Sequence, residues 1–257
     1  MPSSDNLQNG MKRVALLIGC GVTLASCGGG GGQVEVLPAT TYRANGPGDA
    51  WDYSVQIDFG RFGAYSGTLT ESFSDDTYNG SPSIKKTSVF NLALKTGPST
   101  ITSYAEFSPS GQLLAETVNA VVQVVSSNTL SVPSPLAIGN SASGTLTFNS
   151  GLTIAETYKI TGAQNVSTPN GVYSCWIINQ TAKRSDGVSD KSISWVAPET
   201  GNFVMLKDTT DNGDGTGYTY IAKLTSIITP KQKNRAFHQP IDMVANAVRT
   251  LEMNRNF

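Results

Sequence analysis

The sequence predicts an all-β, antiparallel fold, and three features predict it. Residues 51–58 alternate cleanly, with Trp51, Tyr53, Val55 and Ile57 on one parity and Asp52, Ser54, Gln56 and Asp58 on the other. That is the period of a strand with one buried and one wet face. Turn-forming groups, Asn79-Gly80, Pro109-Ser110-Gly111, Ser150-Gly151 and Pro169-Asn170-Gly171, fall between such runs, where antiparallel hairpins need them. No helical period occurs before residue 230, so the chain reads as a meander of about a dozen strands.

The remaining strands follow in order from the same period. Tyr65, Leu69 and Phe73 mark one apolar face, and Phe90, Leu92 and Leu94 the next. Leu152, Ile154, Tyr158 and Ile160 mark a third, and Ile193, Trp195 and Ala197 a fourth. Gly48-Asp49-Ala50-Trp51 and Gly139-Asn140-Ser141-Ala142 each open a strand-turn-strand series, the second after Pro133 and Pro135. The β-rich region 41–229 therefore reads either as two similar halves, 41–130 and 131–229, or as one meander with a long connection near 131–135. A region of about 200 residues buries a full core without staples.

After Pro230 the character changes. Lys231, Lys233, Arg235, Arg249 and Arg255 face Asp242 and Glu252, five basic against two acidic residues, net +3. Within this tail, residues 230–257, Ile241, Val244, Ala245, Val248 and Leu251 form one apolar stripe at helical spacing. The expectation is a basic linker and an amphipathic helix that covers the apolar face of a curved sheet, with docking to a partner or membrane surface as the alternative.

At the other end, Lys12-Arg13 precedes an apolar run from Val14 to Leu24 that is too short to span a bilayer, and Leu24-Ala25-Ser26-Cys27 closes it. This order resembles the lipobox of bacterial lipoproteins. The resemblance implies cleavage between Ser26 and Cys27, removal of residues 1–26 as a signal peptide, and a diacylglyceryl thioether with amino-terminal acylation on Cys27. Residues 1–10 read as a start-site extension before Met11. Leu17-Ile18-Gly19-Cys20 is a rival lipobox, but it would leave only Val14 to Leu17 as the apolar region. Residues 27–40 then form a lipidated cysteine and tether, in which Gly28–Gly32 reaches on the order of 12 Å. Two or three acyl chains hold a protein firmly to a membrane. In the lipoprotein family an aspartate after the cysteine favours inner-membrane retention; Gly28 stands there, so the implied destination is the outer membrane, with periplasmic and surface-facing orientations both open.

Removal of residues 1–26 takes away Lys12, Arg13 and Asp5, leaving 16 basic and 18 acidic residues, a formal charge of −2. Nothing here is a nucleic-acid footprint. Cys20 leaves with the signal and Cys27 is acylated, so Cys175 stands alone, unable to form an intramolecular disulfide and read as a small core residue between Tyr173 and Trp176. His238 is the sole histidine, too little for a triad or a multi-histidine metal site. Asp208, Asp211, Asn212 and Asp214 make a weak calcium-loop candidate: in the EF-hand pattern Thr210 would take the first ligand position and Ile221 the closing glutamate. A hairpin loop explains the same residues more simply. Asp75, Asp76 and Asp186 lie beside turn residues and read as solvated. Paired carboxylates for glycoside hydrolysis stand in no recognisable motif. The expectation is no catalytic residue, no cofactor and no metal.

The second half carries a further resemblance. Pro135-Leu136-Ala137-Ile138-Gly139, Tyr158 to Gly162, and Ser167-Thr168-Pro169-Asn170-Gly171-Val172-Tyr173-Ser174-Cys175 are followed by Ser194-Trp195-Val196-Ala197-Pro198 and Gly201-Asn202-Phe203-Val204-Met205-Leu206-Lys207. Over residues 131–228 this order resembles a module of uncharacterised bacterial periplasmic proteins and lipoproteins. The resemblance implies an open or half β-barrel, similar in shape to lipoprotein carriers, and brings no catalytic residues. The functional expectation is an outer-membrane-anchored, non-catalytic β domain that binds or assembles cell-envelope components. The alternative is a carrier that shelters a lipid or acyl chain in the open barrel, and an envelope hydrolase ranks third.

Overall fold

The computed structural model describes residues 37–94, 97–118 and 120–229. Among the described residues twelve strands follow one another: β1 Ala50–Asp58, β2 Ala64–Tyr78, β3 Ser81–Leu94, β4 Gly97–Phe107, β5 Leu113–Val118, β6 Val121–Asn128, β7 Ser141–Phe148, β8 Thr153–Thr168, β9 Gly171–Arg184, β10 Ser189–Val196, β11 Phe203–Asp211 and β12 Gly217–Ile228. Each pairs antiparallel with its neighbours in sequence, and β1 also pairs with β12, so the sheet is a closed barrel. Val55, for example, lies opposite Gly67 of β2 on one side and Ala222 of β12 on the other.

Closure corrects the expectation of an open or half barrel. Alternation tells which face of a strand is buried, but not whether the first and last strands meet. Here they meet along the whole of β1, from Ala50 opposite Ile228 to Asp58 opposite Thr219, and two exposed edges disappear. The strands of both sequence halves belong to this one sheet, through the pairing of β6 with β7.

The alternation predicted from sequence sets inside and outside. Trp51, Tyr53, Val55 and Ile57 point inward and are buried, as are Leu69, Phe73, Phe90 and Leu92. A twelve-stranded barrel encloses a wide lumen, and large rings fill it. Tyr53 stacks on Phe203 with centroids 4.4 Å apart, and Trp51 meets Phe73 edge-on at 5.9 Å. Outside lie exposed charged residues such as Asp58, Lys159, Lys183, Lys191 and Lys207. Apolar inside and polar outside is the reverse of a lipid-facing barrel.

The four predicted turn groups all join neighbouring strands, and Asn79 and Gly80 both have positive φ, 51° and 77°, as a two-residue hairpin turn requires. Along β10 the expected face is inverted, although Ala197, just past a register shift at Trp195 and Val196, is buried as expected. Ser192 and Val196 are buried and point inward, whereas Ile193 is exposed and Trp195 only half-buried. The Ser192 hydroxyl donates to Gln180 inside the barrel, and Trp195 Nε1 donates to Gln164, so polar partners outweigh the apolar pattern. The signal, Cys27, the glycine tether and the tail of residues 230–257, including its expected helix, lie outside the described residues.

Candidate functional site

One end of the barrel is capped, and the cap begins with the segment before β1. Thr40 forms a reciprocal backbone bridge with Leu136 in the β6–β7 connection, and Arg43 N donates to Pro198 O in the β10–β11 connection. Side chains complete the lock. Asn45 Nδ2 donates to Gly201 O at 2.6 Å, while Trp51 Nε1 and Arg43 Nη2 both donate to Thr200 O, at 2.9 and 3.1 Å. Buried Asp49 accepts from Gly46 N and pairs with Arg43 at 3.4 Å. Gly201 has a φ of 70°, and a Cβ placed there would lie 2.1 Å from Asn45 Oδ1, so the close approach requires glycine.

This cap leaves a cleft of about 430 Å³ at the barrel rim, walled by Thr41, Tyr42, Leu130, Ser131, Val132 and Ser134, with Gly111 at its edge. Its described lining carries hydroxyls and apolar groups but no charge. Tyr42 and Val132 also border a second, inner cavity of about 40 Å³ that reaches Tyr158, Gln180, Asn202 and Phe203. Burial pushes the Tyr42 phenol well above its ordinary range, so it is a neutral donor and acceptor at the boundary.

Beyond the inner cavity lies a chain of buried polar groups that sequence reasoning did not single out. Glu71 sits on the inward parity of β2 between Leu69 and Phe73. It accepts from Asn202 Nδ2 at 2.5 Å and from Ser88 Oγ at 3.2 Å, and pairs with Lys86 Nζ at 2.7 Å. Glu156 accepts from Tyr158 Oη and from Gln180 Nε2. Between these groups, Glu116 of β5 is fully buried, and among the described residues its Oε2 has no hydrogen-bond partner. Burial, reinforced by the negative charge of Glu156 and opposed by Arg184 and Lys86, pushes the Glu116 carboxyl up to about 8, so it is protonated at neutral pH. The signal that could have found these residues was parity: a charged residue two positions from buried apolar ones on the same face.

The residues weighed from sequence fall as follows. Asp208 points into the barrel, fully buried, and accepts from Thr210 Oγ1 at 3.1 Å. Asp211 and Asp214 accept from Gly213 N and Thr216 N in the β11–β12 hairpin, and Asn212 Nδ2 donates to Thr216 Oγ1. The four thus divide between the barrel interior and a self-bonded turn. Among the described residues no group of three or more His, Cys, Asp or Glu could hold a metal. Cys175 is buried, and desolvation pushes its thiol up to about 12. Asp186 pairs with Arg184 at 2.6 Å and Asp76 with Lys85 at 2.9 Å, so both do more than meet solvent. His238, Ser26 and Cys27 lie outside the described residues.

No family model and no curated protein matches the chain. Among solved structures it is similar to a protein from Bacteroides fragilis NCTC 9343, described as exported and of YmcC-like fold, with 12% identity, 75% of this chain and 100% of that chain covered, and a TM-score of 0.39. Nothing about fold or activity rests on that likeness.

Proposed function

We propose that this chain is a lipid-anchored envelope protein whose barrel is a non-catalytic binding module, and that its site is the uncharged cleft at the capped end. The observation that carries the reading is the cleft itself: about 430 Å³ of rim space, held open by a cap of backbone and side-chain hydrogen bonds over a filled interior. That size lies in the usual range for small-ligand pockets, and a mixed hydroxyl and apolar lining suits a neutral group with both apolar and hydrogen-bonding faces. The carrier alternative needs interior room. The partly open inner cavity beside the cleft, about 40 Å³, takes one or two waters, which does not favour that alternative.

The hydrolase reading has less to draw on. Glu71 and Glu156 are engaged by Lys86, Asn202, Tyr158 and Gln180, and neither they nor the buried Glu116 line the cleft. Mass spectrometry of components that co-purify with the native protein, compared with Val132→Arg, tests the cleft. A component lost specifically from the variant is the expected result; an identical set from both proteins refutes the site. Attachment is tested apart from it. Cys27→Ser should abolish incorporation of a labelled fatty acid, and unchanged incorporation refutes the anchor.

A further inference from the structure

The barrel wall from β4 to β7 differs from the rest of the outer surface. From Gly97 to Ala155 the only charged residues are Glu106 and Glu116, and both are buried. Elsewhere the outer face carries exposed or half-exposed Asp58, Asp76, Lys159, Lys183, Lys191, Lys207 and Lys223. Within this wall, Val122 and Val124 of β6 share the outward parity, 57% and 37% exposed, and Tyr104 is exposed on β4 with Lys85 Nζ of β3 lying 4.7 Å from its ring centroid. Protein surfaces ordinarily intersperse both signs of charge. Depletion of charge together with exposed apolar and aromatic side chains is the mark of an interface core.

The same wall contains a break in the hydrogen-bond ladder. Strand β4 is paired with β3 along its whole length, from Leu94 opposite Gly97 to Ile84 opposite Phe107. On its other side the pairing with β5 covers only Ala105, Glu106 and Phe107. Tyr104 N turns to a side chain, Thr117 Oγ1 at 3.0 Å, and among the described residues no strand pairs with Gly97–Ser103 on that side. Alternate residues of this stretch direct N–H and C=O groups away from β3, and such an edge accepts an extended backbone. Pro98 lacks a donor at one end; Ser99 to Ser103 keep theirs.

We propose that this edge and its charge-free surroundings pair with the same surface of a second copy, β4 against β4, antiparallel about a two-fold axis. Charge complementarity selects that occupant. The nearest charges, Lys85 and Glu106, already pair with each other at 3.5 Å, so a partner bearing further ions would bury them uncompensated, whereas the matching wall of another copy adds only the same paired charges. A two-fold interface is self-complementary, and antiparallel pairing of one edge with itself satisfies that symmetry. It also sets the capped ends of the two barrels in opposite directions.

The test is a cysteine scan in the full chain expressed in cells, placing cysteine singly at Ser99, Thr100, Ile101 and Thr102, with mild oxidation and non-reducing electrophoresis. The expected result is a disulfide dimer peaking at one or two of these positions and absent from wild type and from Ser54→Cys on β1. Adding Val122→Lys, at an exposed position that leaves the melting temperature unchanged, should cut the dimer roughly tenfold or more. No dimer at any scan position, equal cross-linking at Ser54→Cys, or a dimer insensitive to Val122→Lys overturns the proposal.

Discussion

Replacing Glu116 by glutamine should make the barrel more stable, and increasingly so as the pH rises. The folded-state pKa of Glu116 is raised from an ordinary 4.5 to about 8, chiefly by burial. The sign follows from linkage. Below about 4.5 the carboxyl is protonated whether folded or unfolded, and the barrel has its full stability. As the pH climbs towards 8, the unfolded chain releases a proton that the folded chain keeps, so stability is lost, and above 8 the loss levels off. At about 1.4 kcal/mol per pH unit, a raise of that size removes on the order of 3 kcal/mol by pH 7 and about 5 at the ceiling. Glutamine fills the same volume without a charge to desolvate, so Glu116→Gln should match wild type near pH 4.5 and exceed it by several kcal/mol at pH 8. Urea unfolding of both proteins at pH 5, 6, 7 and 8 measures the difference. A difference that stays constant with pH, or shrinks as pH rises, refutes the placement of an uncharged Glu116 among Glu156, Arg184 and Lys86.

Three other perturbations probe the cap and the core. Lys86→Met strips the buried Glu71 of its 2.7 Å counter-charge and should cost about 3–5 kcal/mol in chemical denaturation, with part of the loss recovered when Glu71→Gln is added. Gly201→Ala forces a positive φ on alanine and drives its Cβ against Asn45; a loss of about 1–3 kcal/mol and faster proteolysis before β1 are expected, with Asn45→Ala relieving part of the effect. With its thiol pushed up to about 12, Cys175 should hold a thiolate fraction of only about 10⁻⁴ at pH 8. A thiol reagent should therefore label the unfolded chain rapidly and the native chain hardly at all.

The sequence made some of this architecture legible because the physics behind it is local. Trp51 to Ile57 alternate because the strand has a dry and a wet side, and Asn79-Gly80 turns because both residues accept positive φ; neither needs knowledge of the rest of the chain. Closure is not local. Nothing in Ala50–Asp58 announces that its second neighbour is Gly217–Ile228, more than 150 residues on, because the hydrogen bonds are main-chain and carry no side-chain label. The inversion of β10 fails for a related reason. Ile193 and Trp195 look like a core face, but the partner of Ser192 is Gln180, on another strand, and only register reveals it. The inner network was hidden differently. Glu71, Lys86 and Glu116 are charges in strands, and a charge is read as solvent-facing until its parity is counted against Leu69, Phe73 and Phe90.

That network also decides where on the capped end a ligand can act. The inner cavity borders Asn202, and Asn202 is one of the donors that hold Glu71, itself paired with Lys86. A ligand group that reached inward and displaced Asn202 would leave a fully buried carboxylate short of a hydrogen bond, a loss of about 1–3 kcal/mol or more that its own contacts would first have to offset. Tyr158 and Gln180 stand in the same position towards Glu156. No such penalty attaches to the outer cleft, where the described side chains of Thr41, Ser131 and Ser134 are exposed. Affinity should therefore respond strongly to changes at Ser131 and Val132. Ile178 and Leu206, deeper in the barrel, should act through stability alone.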